Sequence, residues 1–415
     1  MHVCVIGAGV VGVTTAWQMA RRGWEVTLVD GGAVPASEAS HGNGGQLSYN
    51  YVAPLAEPGV LPQLPVYLFS KTSPLRFRPR LDPAQWSWCL QFLQACTQRR
   101  SAETTAQLLN LAHLSRLTLE SLLRETPISF GHLRNGKLVV YRSLKLLEKA
   151  RAQVAYQVSL GTEQKVLNAE ECVALEPALA PVRHKLAGAV YTPGEESGDC
   201  LKFTQGLFDH LAALPTVRIR MQTSVTRLEH RQGRIQGAIT QAGERIEADH
   251  YVVAAGMGSR RLLLPLQTRL PIYALKGYSL SLPCAGNEAP AISVTDYERK
   301  TVYANLDGTL RIAAMVGIGV TGDQVEEDRI ALVRRQAREL LPQIDMDHAQ
   351  TWAGHRPATP HGRPIIGRSQ RMANLWLNAG HGALGFTLAC GSSTLLGNLM
   401  AGEAPAIDAT AFQPR

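Results

Sequence analysis

The sequence predicts an α/β fold, α+β overall, in which a Rossmann-like domain built from three separated segments carries an inserted antiparallel-sheet domain. Three observations predict it. The first thirty residues form a β-α-β pattern that starts from a short apolar strand. Two more apolar strands, at 251–255 and 375–377, run into glycine-containing turns. Between them, residues 272–282 and 301–316 alternate as in an antiparallel sheet with one wet face.

Composition sets the limits of this prediction. The 415 residues are 45% hydrophobic and 18% charged, which excludes intrinsic disorder and leaves room for two or three domains of ~100–200 residues each. The seven cysteines include no Cys-x-x-Cys pair, so we expect neither a metal site nor a disulfide framework. No secretory leader precedes the first strand, and no window approaches the ~20 apolar residues of a spanning helix. We therefore expect a cytoplasmic location.

The N-terminal unit consists of a strand, a helix and a second strand. The wholly apolar run 3–6 is typical of a strand buried on both faces. A helical stretch follows, and Gly23 after Arg21 and Arg22 suits the residue just beyond a helix end. A second strand from Trp24 then ends at Asp30. The unit is therefore complete within thirty residues.

The turn of this unit carries the motif Gly7-x-Gly9-x-x-Gly12. The first glycine permits a tight turn, the second lets the backbone approach a pyrophosphate, and the third lets helix and strand pack closely. The helix N-terminus then presents free N–H groups to the phosphates, and Asp30 is spaced to accept hydrogen bonds from a ribose. The motif therefore predicts a dinucleotide site, although NAD and FAD both use it.

The following loop favours FAD. Residues 40–46, Ser-His-Gly-Asn-Gly-Gly-Gln, stand where a nicotinamide enzyme would continue its alternating helices and strands. Three glycines among amides suit backbone contacts to the second half of a long cofactor. Ala254-Ala255-Gly256 after a buried strand resembles the second nucleotide-domain signature of flavoproteins. The alternative is a flexible surface loop.

Longer motifs carry a resemblance to a known family. They include Asn43-x-Gly45-Gln46-x-Ser48, Ala53-Pro54-x-Ala56-x-Pro58-Gly59, Glu176-Pro177-Ala178-Leu179, Gly198-Asp199-Cys200, Leu275-Lys276-Gly277-Tyr278-Ser279, Arg356-Pro357-x-Thr359-Pro360-x-Gly362 and Trp376-Leu377-Asn378-x-Gly380-His381-Gly382-x-Leu384-Gly385. With these motifs the chain resembles the FAD-dependent D-amino-acid oxidase superfamily, and within it the small-subunit type of bacterial D-amino-acid dehydrogenase. The motifs span most of the chain.

The resemblance implies roles for particular residues. Arg356 would clamp the substrate carboxylate, because a guanidinium meets both oxygens at once; a structural salt bridge is the alternative. Tyr278 would lie near the carboxylate or flavin, or be an ordinary strand tyrosine. His381 would face the cofactor, or serve as a structural hydrogen-bonding group. We expect the cofactor to be bound by Gly7, Gly9, Val10, Val11, Gly12, Asp30, Ser40, Asn43, Gly44, Gly45, Gln46, Val225, Ala255, Gly256, Gly380, Gly382, Leu384, Gly385 and Thr387.

The implied reaction is oxidative deamination. A hydride passes from the substrate Cα to flavin N5, the imino acid is hydrolysed to a 2-oxo acid and ammonia, and electrons pass to a respiratory quinone. One alternative is an oxidase that uses O₂ on glycine, sarcosine or D-hydroxyproline-like substrates. Another is a non-catalytic flavin-binding subunit. A nicotinamide dehydrogenase is the weakest alternative.

The domain prediction follows from the order of the elements. Residues 1–60, 185–265 and 350–415 are assigned to the FAD-binding domain, and 61–184 and 266–349 to the substrate domain. We expect no nucleic-acid partner, since no such motif occurs, and homo-oligomerisation is left open.

The net charge of +8 is concentrated in one segment. Residues 60–100 carry six basic residues, namely Lys71, Arg76, Arg78, Arg80, Arg99 and Arg100, against Asp82 alone, which gives a local +5. The apolar residues there are Leu61, Leu64, Tyr67, Leu68, Phe69, Phe77, Trp86, Trp88, Leu90, Phe92 and Leu93. This pattern suits a peripheral site on the cytoplasmic face of the inner membrane, or a buried helix with a solvated basic rim.

Overall fold

The structure is a computed structural model that describes residues 1–52, 54–65, 70, 72–159, 162–284 and 288–414. Some residues named above lie outside these ranges. They are Ala53, which begins the motif of residues 53–59, and Tyr67, Leu68, Phe69 and Lys71 of segment 60–100. Within the described residues, the strands are β1 (His2–Ile6), β2 (Glu25–Val29), β3 (Gln46–Leu47), β4 (Leu75–Phe77), β5 (Lys137–Tyr141), β6 (Lys165–Leu167), β7 (Gly188–Thr192), β8 (Glu196–Ser197), β9 (Val217–Arg220), β10 (Val225–Arg231), β11 (Arg234–Thr240), β12 (Arg245–Ile246), β13 (His250–Val253), β14 (Tyr273–Pro283), β15 (Ser293–Asp296), β16 (Thr301–Asn305), β17 (Thr309–Ile318), β18 (Gln350–Ala358), β19 (Ile365–Arg368) and β20 (Leu375–Ala379).

The helices of the same residues follow the chain in order. They are α1 (Val10–Arg21), α2 (Pro83–Ala95), α3 (Gln98–Glu125), α4 (Leu144–Ser159), α5 (Ala169–Leu175), α6 (Cys200–Ala212), α7 (Gly258–Leu263), α8 (Glu327–Arg338) and α9 (Gly385–Ala401). Short 3₁₀ turns lie at Pro58–Gln63, Pro177–Lys185, Leu264–Leu266 and Gly382–Leu384.

A six-stranded sheet joins three separated parts of the chain, in the order β19-β20-β13-β1-β2-β9. The pairs from β20 to β9 are all parallel, and only β19 is antiparallel to its neighbour. β1 is buried on both faces because α1 and α9 pack on one side of the sheet and a second apolar cluster covers the other. The predicted α/β fold is confirmed.

The N-terminal β-α-β unit forms as the sequence predicts. α1 ends in a Schellman motif, in which Trp24 N–H donates to Met19 O and Gly23 N–H donates to Ala20 O. Gly23 has φ +75°, the left-handed conformation that favours glycine. The turn back into β2 is therefore encoded locally.

The second large sheet has the order β18-β14-β17-β16-β15-β5-β7-β6, with β4 paired to β17. β14 pairs antiparallel with both β17 and β18, as the alternation in these segments predicts. β18 and β7, which lie inside segments assigned by sequence to the other domain, pair in this sheet. α3 packs against α9 of the Rossmann-like half.

The helical segment from Pro83 to Glu125 consists of two helices. The first ends at Ala95, and the second begins at Gln98, where the Thr97 side chain accepts a hydrogen bond from Arg100 N–H. A threonine is a favourable N-cap because its oxygen satisfies a free N–H of the first turn. The chain therefore turns at 96–97.

Among the described residues, one helical stretch, Gly382–Ala401, is long and apolar enough to cross a membrane by length and composition alone. Of its apolar window, 61% is buried inside the protein, against α1 and α3. This burial is typical of the core helix of a soluble domain, so it gives no evidence for a span.

Candidate active site

A single cavity of about 2170 Å³ extends from the glycine loop of β1-α1 to the large sheet. All of the predicted site residues line it except Gly12, Gly45 and Tyr278. Its walls come from the turn before α9, one face of the large sheet, and the segments that contain α2, α3 and α4. The fold therefore brings most of the predicted residues into one site.

The glycine loop is shaped by close approach of the backbone. A Cβ on Gly7 would lie 2.5 Å from Ala254 O, and a Cβ on Gly12 would lie 1.8 Å from Gly7 O. A Cβ on Gly9 would meet only Ser40 Oγ, at 3.4 Å. Gly7 and Gly12 are thus required by the protein's own packing, whereas Gly9 faces the cavity.

Asp30 secures this loop. One carboxylate oxygen accepts Ala8 N–H at 2.7 Å and the other accepts Gly32 N–H at 2.6 Å. Ser40 Oγ accepts Val10 N–H at 3.1 Å at the start of α1. Asp30 still lines the cavity, where its remaining lone pairs can accept the ribose hydroxyls that the sequence predicts.

The loop 40–48 crosses the large sheet. Arg311 Nη1 donates to His41 O at 3.0 Å and to Asn43 O at 2.9 Å. His41 stacks on Trp352 with ring centroids 6.2 Å apart, and Gly42 leaves room for that indole, since a Cβ there would lie 1.9 Å from it. The loop is therefore fixed by contacts to the sheet and is not a free surface loop.

The start of α9 completes the cofactor side. Gly380 and Gly382 have φ +82° and +58°, and the helix begins at Gly385 without a side-chain cap. Thr387 Oγ1 accepts Ser48 N–H at 3.2 Å and donates to Gln46 O at 3.3 Å. The uncapped first-turn N–H groups give this end a partial positive charge that suits an anionic ring edge.

The residues present fit FAD. The cavity contains two helix N-termini, a backbone open at Gly9, and Asn378 Oδ1, a buried oxygen without a hydrogen-bond partner among the described residues. The first helix end would hold the pyrophosphate and the second the flavin. The described residues contain no group of three or more His, Cys, Asp and Glu side chains that could hold a metal ion.

Arg356 lies where β18 faces the cavity. Its guanidinium crosses Gly277, where a Cβ would lie 2.4 Å from Nη2, and Nη1 donates to Met315 O at 3.1 Å. Burial lowers the pKa of Arg356, yet a guanidinium stays charged. Among the described residues no carboxylate pairs with it, so a structural salt bridge does not explain this arginine.

The sequence analysis did not identify Met315 as a contact of Arg356. It has φ +68° and lies where the pairing of β14 with β17 shifts register, so it is the extra residue of a β-bulge. A non-glycine residue in this conformation is strained. Here the bulge directs a carbonyl oxygen at Arg356, which fixes the guanidinium toward the cavity.

Two predicted catalytic residues form hydrogen bonds within the protein, although His381 lines the cavity and Tyr278 does not. Tyr278 lies on the opposite face of β14, in an apolar cluster, and its hydroxyl donates to Glu326. Burial and Glu326 raise the pKa of Tyr278. His381 is buried and shares a hydrogen bond of 3.1 Å with Ser392 of α9, and burial lowers the pKa of His381 to about 3. Its ring is therefore neutral, which suits its structural alternative.

A buried lysine was also missed. Lys137 is 5% exposed and lines the cavity. Its Nζ donates to Ser48 Oγ at 3.0 Å and lies 4.4 Å from the Tyr51 ring centroid, and burial lowers the pKa of Lys137 to about 8. Glu195 nearby accepts backbone N–H groups of residues 49, 50 and 51. No motif marks Lys137, because β5 reads as an ordinary apolar strand.

The fold and this cavity define a dinucleotide-binding oxidoreductase. Residues 2–399 match the family described as DAO, FAD dependent oxidoreductase. The chain belongs to this family, and its cofactor is FAD.

Similar proteins agree with that assignment. The chain is 48% identical to D-amino acid dehydrogenase 2 of Pseudomonas aeruginosa over 417 residues. The alignment covers 100% of this chain and 98% of the relative. The chain is 47% identical over 424 residues to D-amino acid dehydrogenase 2 of Ralstonia nicotianae, with 99% of each chain covered. Among solved structures, glycine oxidase from Geobacillus kaustophilus matches with a TM-score of 0.77 at 21% identity. The match covers 100% of this chain and 98% of the glycine oxidase chain.

Proposed function

We propose that the protein oxidises D-amino acids to 2-oxo acids and ammonia, with FAD as the cofactor and a membrane quinone as the electron acceptor. The observation that carries the proposal is the Arg356 guanidinium inside the cavity, which has no carboxylate partner among the described residues. A buried cation without a carboxylate partner calls for an anionic ligand. The amino-acid class comes from the relatives, which are named D-amino acid dehydrogenases.

The residues of the site support this chemistry by positioning. Arg356 binds the α-carboxylate with two N–H groups, and Met315 O holds the guanidinium in place. Trp352, Leu275 and Ile318 line the cavity around it and limit access of water to the Cα–H bond. FAD, when bound, supplies the hydride acceptor. Loss of the hydride from Cα leaves the iminium form of the imino acid, and water converts this product to the 2-oxo acid and ammonium.

The test is anaerobic bleaching of the flavin by a panel of D- and L-amino acids, glycine and sarcosine. We expect several D-amino acids to bleach it and their L-enantiomers to fail. Dithionite is the control that shows a reducible flavin. Bleaching by dithionite alone would contradict the proposal and favour a non-catalytic flavin subunit, and peroxide formation from glycine or sarcosine in air would favour an oxidase.

The acceptor part of the proposal depends on an apolar face beside the cavity. Trp86, Leu90 and Leu93, at helical spacing on α2, are 50%, 58% and 43% exposed, and Leu81 is fully exposed. Trp86 and Leu93 also line the cavity. An exposed apolar group of this size suits insertion into a lipid surface, which would bring the cavity close to a lipid-soluble quinone.

The charge of this segment contributes less than its sequence suggests. Arg76 and Arg78 both pair with Glu326, at 3.4 and 2.6 Å, and Arg99 pairs with Glu103 at 2.9 Å. Paired arginines attract anionic lipid weakly. We therefore expect insertion of apolar side chains to contribute more to the proposed membrane contact than attraction between the arginines and anionic lipid.

We expect the variant Leu81→Gln/Leu90→Gln to lose at least tenfold in partitioning to liposomes, because burying one leucine contributes about 1.5 kcal/mol or more. Co-sedimentation with zwitterionic and anionic vesicles measures this. The control is Leu117→Gln/Leu144→Gln, which replaces leucines that are 53% and 69% exposed elsewhere. Equal sedimentation of both variants and the wild type would contradict membrane docking by α2.

A further inference from the structure

The large sheet carries a row of residues that leads away from Arg356. Thr301 pairs with Ala314, so Lys300 lies beside Met315. Tyr297 follows β15 directly, next to Lys300 across the turn between β15 and β16. The Arg356 guanidinium lies over Gly277, which is two strand spacings from Lys300. These two spacings amount to about 10 Å. Arg356 and Lys300 both line the cavity.

Lys300 contacts an aromatic ring at its end of the row. Its Nζ lies 3.8 Å from the Tyr297 ring centroid, a cation–π contact. The turn is anchored because Arg142 Nη2 pairs with Asp296 at 2.8 Å and Glu298 accepts Arg142 N–H and Ser143 N–H. Lys300 itself has φ +52°. The ammonium is thus placed by the hairpin and by a stacked ring.

The charges around Lys300 leave it available to a ligand. Among the described residues it forms no salt bridge. Glu57 and Glu298 are the acids that act on it electrostatically, but Glu298 is engaged by two backbone N–H groups. Burial raises the pKa of the Glu57 carboxyl, and the nearby Lys300 lowers it. Lys137 and Lys149 also line the cavity, and Glu195 acts electrostatically on Lys137.

We propose that Lys300 binds the side-chain carboxylate of an acidic D-amino acid whose α-carboxylate is bound by Arg356. The inference rests on the proposed function and adds the substrate class. An extended five-carbon diacid separates its carboxylate carbons by about 5 Å, and each ion pair adds about 3 Å. The sum of about 11 Å is the separation of two cationic groups that such a diacid would bridge, and it is comparable with the two strand spacings, about 10 Å, between the strand that the guanidinium crosses and the turn that carries Lys300.

The matched substrates are D-glutamate and D-norvaline, which differ by a carboxylate in place of a methyl group. We expect the wild-type holoenzyme to reduce its flavin faster with D-glutamate, and Lys300→Met to lower the kcat/KM ratio of D-glutamate over D-norvaline at least 20-fold. A second readout needs no turnover: glutarate should perturb the flavin spectrum at lower concentration than pentanoate, and Lys300→Met should remove that difference.

Lys145→Met is the control, since Lys145 is exposed on α4 and does not line the cavity; its ratio should equal that of the wild type. Preference for D-norvaline in the wild type, or an unchanged ratio in Lys300→Met, would overturn the inference while leaving the proposed function intact. If no D-amino acid reduced the flavin, the proposed function itself would fail.

Discussion

Arg356→Ala should raise the KM for D-amino acids by 10²- to 10³-fold while FAD stays bound. The guanidinium makes charge-assisted hydrogen bonds to the α-carboxylate, and losing such bonds at a buried site costs about 2–5 kcal/mol. Arg356 belongs to the large sheet and the glycine loop to the six-stranded sheet, so the packing of the glycine loop does not depend on this side chain. Steady-state kinetics and the flavin-to-protein absorbance ratio measure the two effects.

Arg356→Lys separates charge from geometry. A lysine keeps the positive charge but lacks the planar fork that meets both carboxylate oxygens, and it cannot reach Met315 O in the same way. We expect an intermediate loss, between the wild type and Arg356→Ala. The surface variant Arg134→Ala is the control, because this side chain is 55% exposed. Wild-type kinetics in Arg356→Ala would rule out the carboxylate role.

The parts of the fold that sequence predicted are those encoded by neighbouring residues. The β-α-β unit needs only an apolar run, three glycines and a Schellman ending within residues 2–29. The same holds for the turn before α9, where Gly380 and Gly382 adopt positive φ. Local backbone requirements leave a readable pattern in the sequence, so these elements and their cavity-lining residues were found.

The position of Tyr278 could not be predicted from a local pattern. Alternation in β14 indicates two faces but not which one meets the cofactor, and the bulge at Met315 shifts the pairing between Lys276 and Tyr278. The structure places Tyr278 with Glu326, and leaves Gly277 under Arg356. A strained methionine has no sequence signature, because its conformation is imposed by the two strands around it.

The basic segment 60–100 shows the same limit for charge. The excess positive charge of this segment was obtained by counting residues that are close in sequence. In the structure Arg76 and Arg78 pair with Glu326, which lies about 250 residues further along the chain. Lys137 and Lys300 are the converse case. Each is a common residue in an ordinary segment, and only the assembled sheet places it in the cavity.

Gly9→Ala should fold normally and yet lose FAD affinity by at least tenfold. Gly9 has φ −74°, a value that alanine adopts freely, and the added methyl would meet only Ser40 Oγ, at 3.4 Å. The protein therefore tolerates the methyl group. A pyrophosphate in contact with this backbone would not, because the methyl would hold it away from the N–H groups of α1.

Two further glycine variants make the comparison decisive. Gly12→Ala would place its methyl 1.8 Å from Gly7 O, so we expect loss of both folding stability and FAD. Gly23→Ala meets nothing within 4 Å but has φ +75°, and should cost about 1 kcal/mol of unfolding free energy without affecting FAD binding. Thermal unfolding of the apoproteins and FAD titration by quenching of flavin fluorescence measure the two quantities. Unchanged FAD affinity in Gly9→Ala would mean that the pyrophosphate does not bind at this loop, because only the cofactor side of Gly9 is open.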